Sequence, residues 1–118
     1  MKINKKELTI EGLQEEYYFL HITDTHAGRE NLTRDGISAA ERLKEYVEYA
    51  NEERLSGVLL TGDIIDNPAL ENLTLLKRQL EALQVPYLYI PGNHDWAFAD
   101  DYHTDVATSR DWPLLEPF

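Results

Sequence analysis

Cysteine is absent from this chain of 118 residues. Its absence excludes disulfide bonds, thiolate zinc sites, iron–sulfur clusters and cysteine nucleophiles, and it fits a reducing compartment. Long apolar runs are missing as well, since no stretch approaches the roughly 18 residues that a membrane-spanning helix needs. Glu7, Glu11, Glu15 and Glu16 interrupt any signal-peptide core behind the N-terminal lysines. We therefore predict a cytoplasmic protein with no membrane partner.

Positive charge is scarce in this sequence. Lysine and arginine together number 11, against 22 aspartate and glutamate residues, which gives a formal net charge of −11. A nucleic-acid interface needs basic residues for its phosphate contacts, so the charge argues against a nucleic-acid partner. A phosphate-bearing substrate would also be repelled unless a bound cation offset the carboxylates. The hydrophobic content of 42% is otherwise that of a single globular domain.

Short apolar segments alternate with helical patterns along the chain. They predict four strands, of which the second should be buried on both faces, at Glu7–Leu13, Tyr17–Thr23, Val58–Thr61 and Tyr87–Ile90. A capping box at Ser38 and Glu41 starts the first predicted helix, and Asn67 followed by Pro68 starts the second. The resulting order, β-β-α-β-α-β, predicts an α/β fold with a mainly parallel sheet.

Polar clusters follow three of the predicted strands, at the point where each strand ends. They are spaced by about one βαβ unit and consist of Asp24-Thr25-His26, Gly62-Asp63 and Gly92-Asn93-His94-Asp95. Because the carboxyl ends of parallel strands meet at one edge of a sheet, we expect these clusters to lie side by side. A mixture of carboxylate, amide and imidazole donors favours Mn²⁺, Fe or Zn²⁺ as the bound ion.

The three clusters together resemble the first three motifs of the calcineurin-like metallophosphoesterases. The matching residues are Asp24-x-His26, Gly62-Asp63-x-x-Asp66 and Gly92-Asn93-His94-Asp95, within a resemblance from Tyr17 to Asp95. It implies that residues 1–118 form the N-terminal half of the αββα sandwich of these enzymes. It also implies a phosphoester hydrolase that uses metal-activated water. Residues 96–118 lack clear periodicity and are expected to be a loop over the site or the start of a region that is missing here.

The resemblance implies a metal site with two divalent ions. Asp24 and His26 would ligate the first ion, Asp63 would bridge both ions, and Asn93 would ligate the second. The later family motifs, an isolated histidine and Gly-His-x-His, have no counterpart in this sequence. We therefore expect this chain to hold one ion well and a second ion weakly.

The resemblance also implies roles for three residues beside the ions. His94 would stand next to the phosphoryl group as an acid or transition-state stabiliser, and Asp95 would orient the His94 ring. Asp66 would support a ligand or the local turn from behind. His21 lies within a predicted strand and His103 within the acidic tail, so neither is expected to ligate a metal.

A second hypothesis is a catalytically inactive member that binds metal or serves as a scaffold through protein contacts. Half of a sandwich would leave one sheet face uncovered, which predicts self-association or pairing with the missing C-terminal half. Two other phosphate-handling classes fit less well. A haloacid-dehalogenase-like phosphatase needs an aspartate where His26 stands, and a receiver-type signalling domain explains neither His26 nor the third cluster.

Overall fold

A computed structural model describes residues 3–28 and 32–96 of the chain. Three strands alternate with helices, in the order β1 (Phe19–Ile22), α1 (Ala39–Glu52), β2 (Gly57–Leu60), α2 (Leu70–Ala82), β3 (Tyr87–Tyr89) and α3 (Asn93–Trp96). All pairs in the sheet are parallel, and β2 lies between β1 and β3. The predicted α/β fold with a parallel sheet is therefore confirmed.

One face of the sheet carries the hydrophobic core. The register aligns Leu20 of β1 with Val58 of β2, and Val58 with Tyr87 of β3, so alternate residues of the three strands share a face. On this face α1 and α2 contribute buried aliphatic side chains, namely Leu43, Val47, Ala50, Leu73, Leu76 and Leu80. Burial of this apolar surface is the main force that holds the two helices against the strands.

The start of α1 follows from its capping residue. Ser38 has extended backbone angles, and its hydroxyl oxygen accepts a hydrogen bond of 3.0 Å from the Glu41 amide. This bond satisfies one of the amides that the first turn of a helix leaves unpaired. The predicted N-cap is confirmed.

The start of α2 differs from the prediction by two residues. The helix begins at Leu70 with Ala69 as its N-cap, not at Pro68 after an Asn67 cap. The Asn67 carboxamide oxygen instead accepts from the Ala69 amide at 3.0 Å, which makes a turn that precedes the helix. Local side-chain bonding of this kind competes with the first helical turn, so the helix starts later.

The predicted strand at Glu7–Leu13 is wrong. The backbone there forms no strand but makes a turn, in which the Leu13 amide donates to the Ile10 carbonyl at 3.2 Å. Leu8 is 88% exposed and Ile10 is 62% exposed, so neither side chain finds an apolar surface to pack on. Without that burial nothing offsets the entropy lost when a strand is ordered.

The second face of the sheet is open in the described part of the chain. Phe19, Leu88 and Ile90 are 59%, 69% and 63% exposed, because α1 and α2 pack on the opposite face. The expectation that the strand at Tyr17–Thr23 is buried on both faces is therefore wrong. A contiguous apolar face of this kind is typical of a surface that another layer covers.

Two further sequence expectations concern the ends of the chain and the membrane. The segment 97–118, the greater part of the tail assigned to a loop or to a missing region, lies outside the described residues. Within the described ranges no helix combines the length and the apolar character that crossing a bilayer requires.

Substitution of Leu76 tests the position of the core. Leu76 is fully buried, so Leu76→Ala should lower the free energy of unfolding by about 2–5 kcal/mol through lost burial and an unfilled cavity. Leu70→Ala on the same helix is the matched control, because Leu70 is 63% exposed and should change stability by less than about 0.5 kcal/mol. Urea unfolding followed by circular dichroism measures both. Equal effects at the two positions would contradict the packing described here.

Candidate active site

The pairing between β1 and β2 continues past the ends of both strands. The Asp24 amide donates to the Gly62 carbonyl at 3.0 Å, and the His26 amide donates to the Asp63 carbonyl at 2.9 Å. These bonds hold the β1 loop (residues 23–28) against the β2 loop (residues 61–69). The polar clusters after the two strands therefore lie side by side, as the parallel topology predicts.

Three of the polar residues at this edge have left-handed backbone angles. The φ values are 54° at Asp24, 45° at His26 and 52° at Asp63. The Asp24–His26 segment is thus not extended. Each such residue costs about 1–3 kcal/mol, a strain that proteins retain mainly at functional sites. The backbone hydrogen bonds from Asp24 and His26 to the β2 loop hold the strained segment in this conformation.

Asp24, His26 and Asp63 form the first group of candidate metal ligands. One ligand atom from each lies within 4.8 Å of the others. The Nε2 atom of His26 is 4.0 Å from Asp24 Oδ1 and 3.9 Å from Asp63 Oδ2. The Thr23 hydroxyl donates to Asp24 Oδ2 at 2.7 Å and fixes the rotation of that carboxylate.

Asp66 connects the two histidines of the site. Its Oδ1 atom lies 3.6 Å from His26 Nδ1, and its backbone carbonyl accepts from His94 Nδ1 at 2.7 Å. Because a carbonyl can only accept, the His94 proton must be on Nδ1, which leaves Nε2 with its lone pair. The two imidazole rings meet edge to face with centroids 4.6 Å apart. Asp66 therefore contacts both rings, His26 through its carboxylate and His94 through its backbone carbonyl.

The site carries more negative charge than its own residues neutralise. Within the described ranges, the one basic side chain within 4.0 Å of the carboxylates of Asp24, Asp63 and Asp66 is the imidazole of His26, which carries charge only when protonated. Three carboxylates around one weakly basic ring repel each other, and a bound cation relieves that repulsion. The donor set of carboxylates and imidazole therefore fits a divalent metal ion.

The segment after β3 approaches the β2 loop very closely. The His94 amide donates to Asp63 Oδ1 at 2.9 Å, and Asn93, which precedes it, begins α3 at this edge. A Cβ atom added at Gly92 would lie 2.3 Å from Asp63 Oδ1, a distance that no side chain tolerates. Sequence reasoning missed this requirement for glycine, because Gly92 carries no chemistry and its neighbour lies 29 positions away in the chain.

Asp95 does not orient the His94 ring, so that part of the prediction is wrong. Its Oδ1 atom accepts from the Ile65 amide and its Oδ2 atom from the Gly92 amide, each at 3.0 Å. The side chain is buried, and burial raises the pKa of Asp95, although the two amide hydrogen bonds act in the opposite direction. The His94 ring is held by the Asp66 carbonyl instead.

The remaining histidines are not part of this arrangement in the described residues. His21 lies in β1, and a ring nitrogen is 2.6 Å from the Thr61 hydroxyl. His103 lies outside the described residues. The structure thus brings together Asp24, His26, Asp63, Asp66 and His94, with Asn93 on the same edge and Asp95 buried beneath it.

Known protein sequences resemble this chain over most of its length. A sequence model of the calcineurin-like phosphoesterase family matches residues 17–117. A 3′,5′-cyclic-nucleotide phosphodiesterase of Nostoc is 36% identical over 83 residues, which is 68% of this chain and 31% of that protein. A glycerophosphodiester phosphodiesterase of Enterobacter lignolyticus is 36% identical over 64% of this chain and 28% of its own. A DNA double-strand break repair protein Mre11 of Saccharolobus solfataricus is 31% identical over 64% of this chain and 22% of its own.

The fold is similar to that of a solved enzyme. The crystal structure of a dimetal phosphatase from Danio rerio superimposes with a TM-score of 0.55 and 22% sequence identity, over 68% of this chain and 30% of that one. At this identity the likeness concerns the fold alone. The chain spans about a third of the length of the first curated relatives that it matches.

Substitution of Gly92 tests the contact between the two loops. In Gly92→Ala the new Cβ must displace the Asp63 carboxylate, so the hydrogen bond from the His94 amide should be lost. Hydrogen exchange at the His94 amide, followed by NMR, should then become faster. Gly36→Ala is the control for backbone strain without a clash, since Gly36 has a φ of 78° but a Cβ there meets no atom within 4 Å. Unchanged protection of His94 in Gly92→Ala would contradict the close approach.

Proposed function

We propose a function from one established premise, that this chain belongs to the calcineurin-like phosphoesterase family. The chain would provide the N-terminal half of a metal-dependent phosphoester hydrolase. The observation that carries the proposal is the convergence of Asp24, His26 and Asp63 within 4.8 Å at the carboxyl edge of the sheet. The backbone amide of His94 donates a hydrogen bond to the Asp63 carboxylate at this edge.

The proposed metal ligands are Asp24, His26, Asp63 and Asn93. Bound divalent ions would supply an activated water and positive charge for the phosphoryl oxygens. Manganese is our first choice, because oxygen-rich sites with imidazole suit it. Three residues serve the first position, whereas only Asp63 and Asn93 serve the second, so one ion should bind more tightly than the other.

Asp66 and His94 would prepare the chain for catalysis. The Asp66 carboxylate faces Nδ1 of His26, which leaves Nε2 of His26 directed at Asp24 and Asp63. The Asp66 carbonyl accepts from Nδ1 of His94, so Nε2 is the nitrogen that takes the second proton, and in the protonated ring it would donate to a phosphoryl oxygen. When the ring is protonated, the same Nε2 would deliver a proton to the leaving oxygen.

The family supports a phosphoester as the substrate class, and the names of its relatives suggest which phosphoester to test first. Two of the relatives described above are named for phosphodiesters, one cyclic and one linear. We therefore propose a phosphodiester as the first substrate to test. The net charge of −11 supports a small substrate over a nucleic acid, and the absence of cysteine is consistent with the cytoplasm as its location.

A catalytically inactive protein that works through protein contacts is the second candidate function. The exposed sheet face with Phe19, Leu88 and Ile90 favours it, because such a face needs a covering partner. The two functions differ in one measurable respect. The hydrolase turns over a phosphoester when a divalent ion is added, whereas the scaffold binds the ion without turnover.

Titration with Mn²⁺ tests the proposed ligands. Calorimetry on the chain should show one tight site, which His26→Ala and Asp63→Ala weaken at least roughly tenfold because each removes a donor atom. His21→Ala is the control, because His21 contacts Thr61 on the sheet and should leave the affinity unchanged. Two equally tight sites, or equal losses at His21 and His26, would contradict the assignment.

An activity assay tests the proposed reaction. With Mn²⁺, an aryl phosphodiester should be hydrolysed slowly by this chain, because the second ion has few ligands here. His94→Ala should lower that rate roughly 10²–10⁴-fold, as expected for loss of a general acid. Thr74→Ala is the control, since the Thr74 hydroxyl donates within α2, to the Leu70 carbonyl. Absence of turnover in a chain that binds Mn²⁺ would support the scaffold function instead.

Sedimentation tests the open sheet face. We expect the isolated chain to pair with a second copy through the face that contains Leu88, as its concentration rises. Leu88→Lys should prevent this association, because pairing would bury an ammonium group. Leu70→Lys places the same charge at an exposed leucine of α2 and is the control. A monomer at every concentration would refute the prediction.

A further inference from the structure

The β2 loop and the segment after β3 are joined in an unusual way. The backbone pairing of β2 with the β3 side of the sheet ends just before the β2 loop, at the hydrogen bond from the Ile90 amide to the Leu60 carbonyl at 2.9 Å. Beyond it, three hydrogen bonds that involve side chains join residues 61–66 to residues 91–96. The β1 and β2 loops, in contrast, continue their backbone pairing through Asp24 and His26.

Side chains make the connection instead. The Asp63 carboxylate accepts from the His94 amide at 2.9 Å, and the Asp95 carboxylate accepts from the Ile65 amide at 3.0 Å. Each segment thus gives a carboxylate to an amide of the other. A third contact joins the His94 ring to the carbonyl of Asp66.

The three contacts differ in what else their residues must do. Asp63 and His94 are the residues that the proposed chemistry engages with metal and phosphoryl group. Asp95 is 1% exposed and is proposed to contact neither the metal nor the phosphoryl group. Binding of these ligands therefore leaves its hydrogen bond with the Ile65 amide in place. Of the three contacts, it is the one whose side chain has no proposed role in binding metal or substrate.

Asp95 also determines where Gly92 lies. Its second oxygen accepts from the Gly92 amide at 3.0 Å, and its own amide donates back to the Gly92 carbonyl at 3.1 Å. Gly92 in turn lies so close to Asp63 that an added Cβ would be 2.3 Å from Oδ1. The Asp95 carboxylate therefore fixes the position of Gly92, and Gly92 in turn limits where the Asp63 carboxylate can lie.

We propose that Asp95 is a positioning residue, whose buried carboxylate holds the β2 loop and the segment after β3 at the separation that places Asp63 for metal binding. This inference rests on the proposed function for its metal. The lock, by which we mean the Asp95 carboxylate bonded to the Ile65 and Gly92 amides, stands on those two hydrogen bonds alone. It replaces the expected role of Asp95 as the group that orients His94.

Asp95→Asn is the variant that tests the lock. The Ile65 amide bonds to Oδ1 of Asp95 and the Gly92 amide to Oδ2, so the carboxamide of Asp95→Asn keeps an acceptor at one of these places and turns its NH₂ group toward the other amide donor. The affinity for Mn²⁺ should fall roughly 10–100-fold, the range seen when groups behind metal ligands are replaced. Circular dichroism and amide exchange in β2 and α2 should show that the core remains folded.

The matched control is Asn51→Asp. Asn51 also links two segments through two hydrogen bonds, from its Nδ2 to the Ala82 carbonyl and from the Gln84 amide to its Oδ1. The exchange of amide for carboxylate breaks the first bond and keeps the second. Because this link joins α1 to the end of α2, the affinity for Mn²⁺ should not change.

Amide exchange in the unaltered chain gives a second, metal-free measurement. The Ile65 and Gly92 amides should be as strongly protected as those of β2, because both donate to a buried carboxylate. If Asp95→Asn fails to fold, this protection decides the matter, and fast exchange at both amides would overturn the proposal. A folded Asp95→Asn with unchanged Mn²⁺ affinity would overturn it as well. Failure of the unaltered chain to bind Mn²⁺ would count against the proposed function, while the protection of Ile65 and Gly92 would still test the lock.

Discussion

Contact between two glycine backbones sets the geometry of the carboxyl edge. A Cβ at Gly62 would lie 3.0 Å from the Gly92 nitrogen, and one at Gly92 would lie 2.3 Å from the Asp63 carboxylate. No side chain separates the two segments at this point, so their functional groups come within hydrogen-bond distance. The bond from His94 to Asp63 and the burial of Asp95 both depend on this approach.

The energy that maintains this edge comes from elsewhere in the molecule. Left-handed backbone at Asp24, His26 and Asp63, together with repulsion among the carboxylates, disfavours the arrangement. The buried leucines between the helices and the sheet offset these costs, since each large side chain removed from water contributes about 1.5–3 kcal/mol. A bound cation would remove the repulsive part and thereby stabilise the fold.

The two faces of the sheet have different consequences for function. The face under α1 and α2 holds the strands in register and thus aligns the three loops. The opposite face exposes Phe19, Leu88 and Ile90. The candidate site lies at the carboxyl edge of the sheet, where Asp24, His26 and Asp63 converge.

The amino-acid pattern was sufficient for the fold and for the sheet edge at which the polar clusters meet. Alternation of short apolar strands with capped helices requires a parallel sheet, and parallel strands bring Asp24, Asp63 and Asn93 to one edge. The pattern failed at Glu7–Leu13, where a strand-like sequence has no surface to pack on.

The sequence pattern did not predict the hydrogen-bond partner of each polar side chain. Asp95 bonds to the Ile65 and Gly92 amides, and His94 bonds to the carbonyl of Asp66. All of these partners are backbone groups, which every residue has, so residue types and spacing cannot distinguish one from another. They are chosen by how closely the loops approach in three dimensions, and that approach follows from packing across the whole sheet edge.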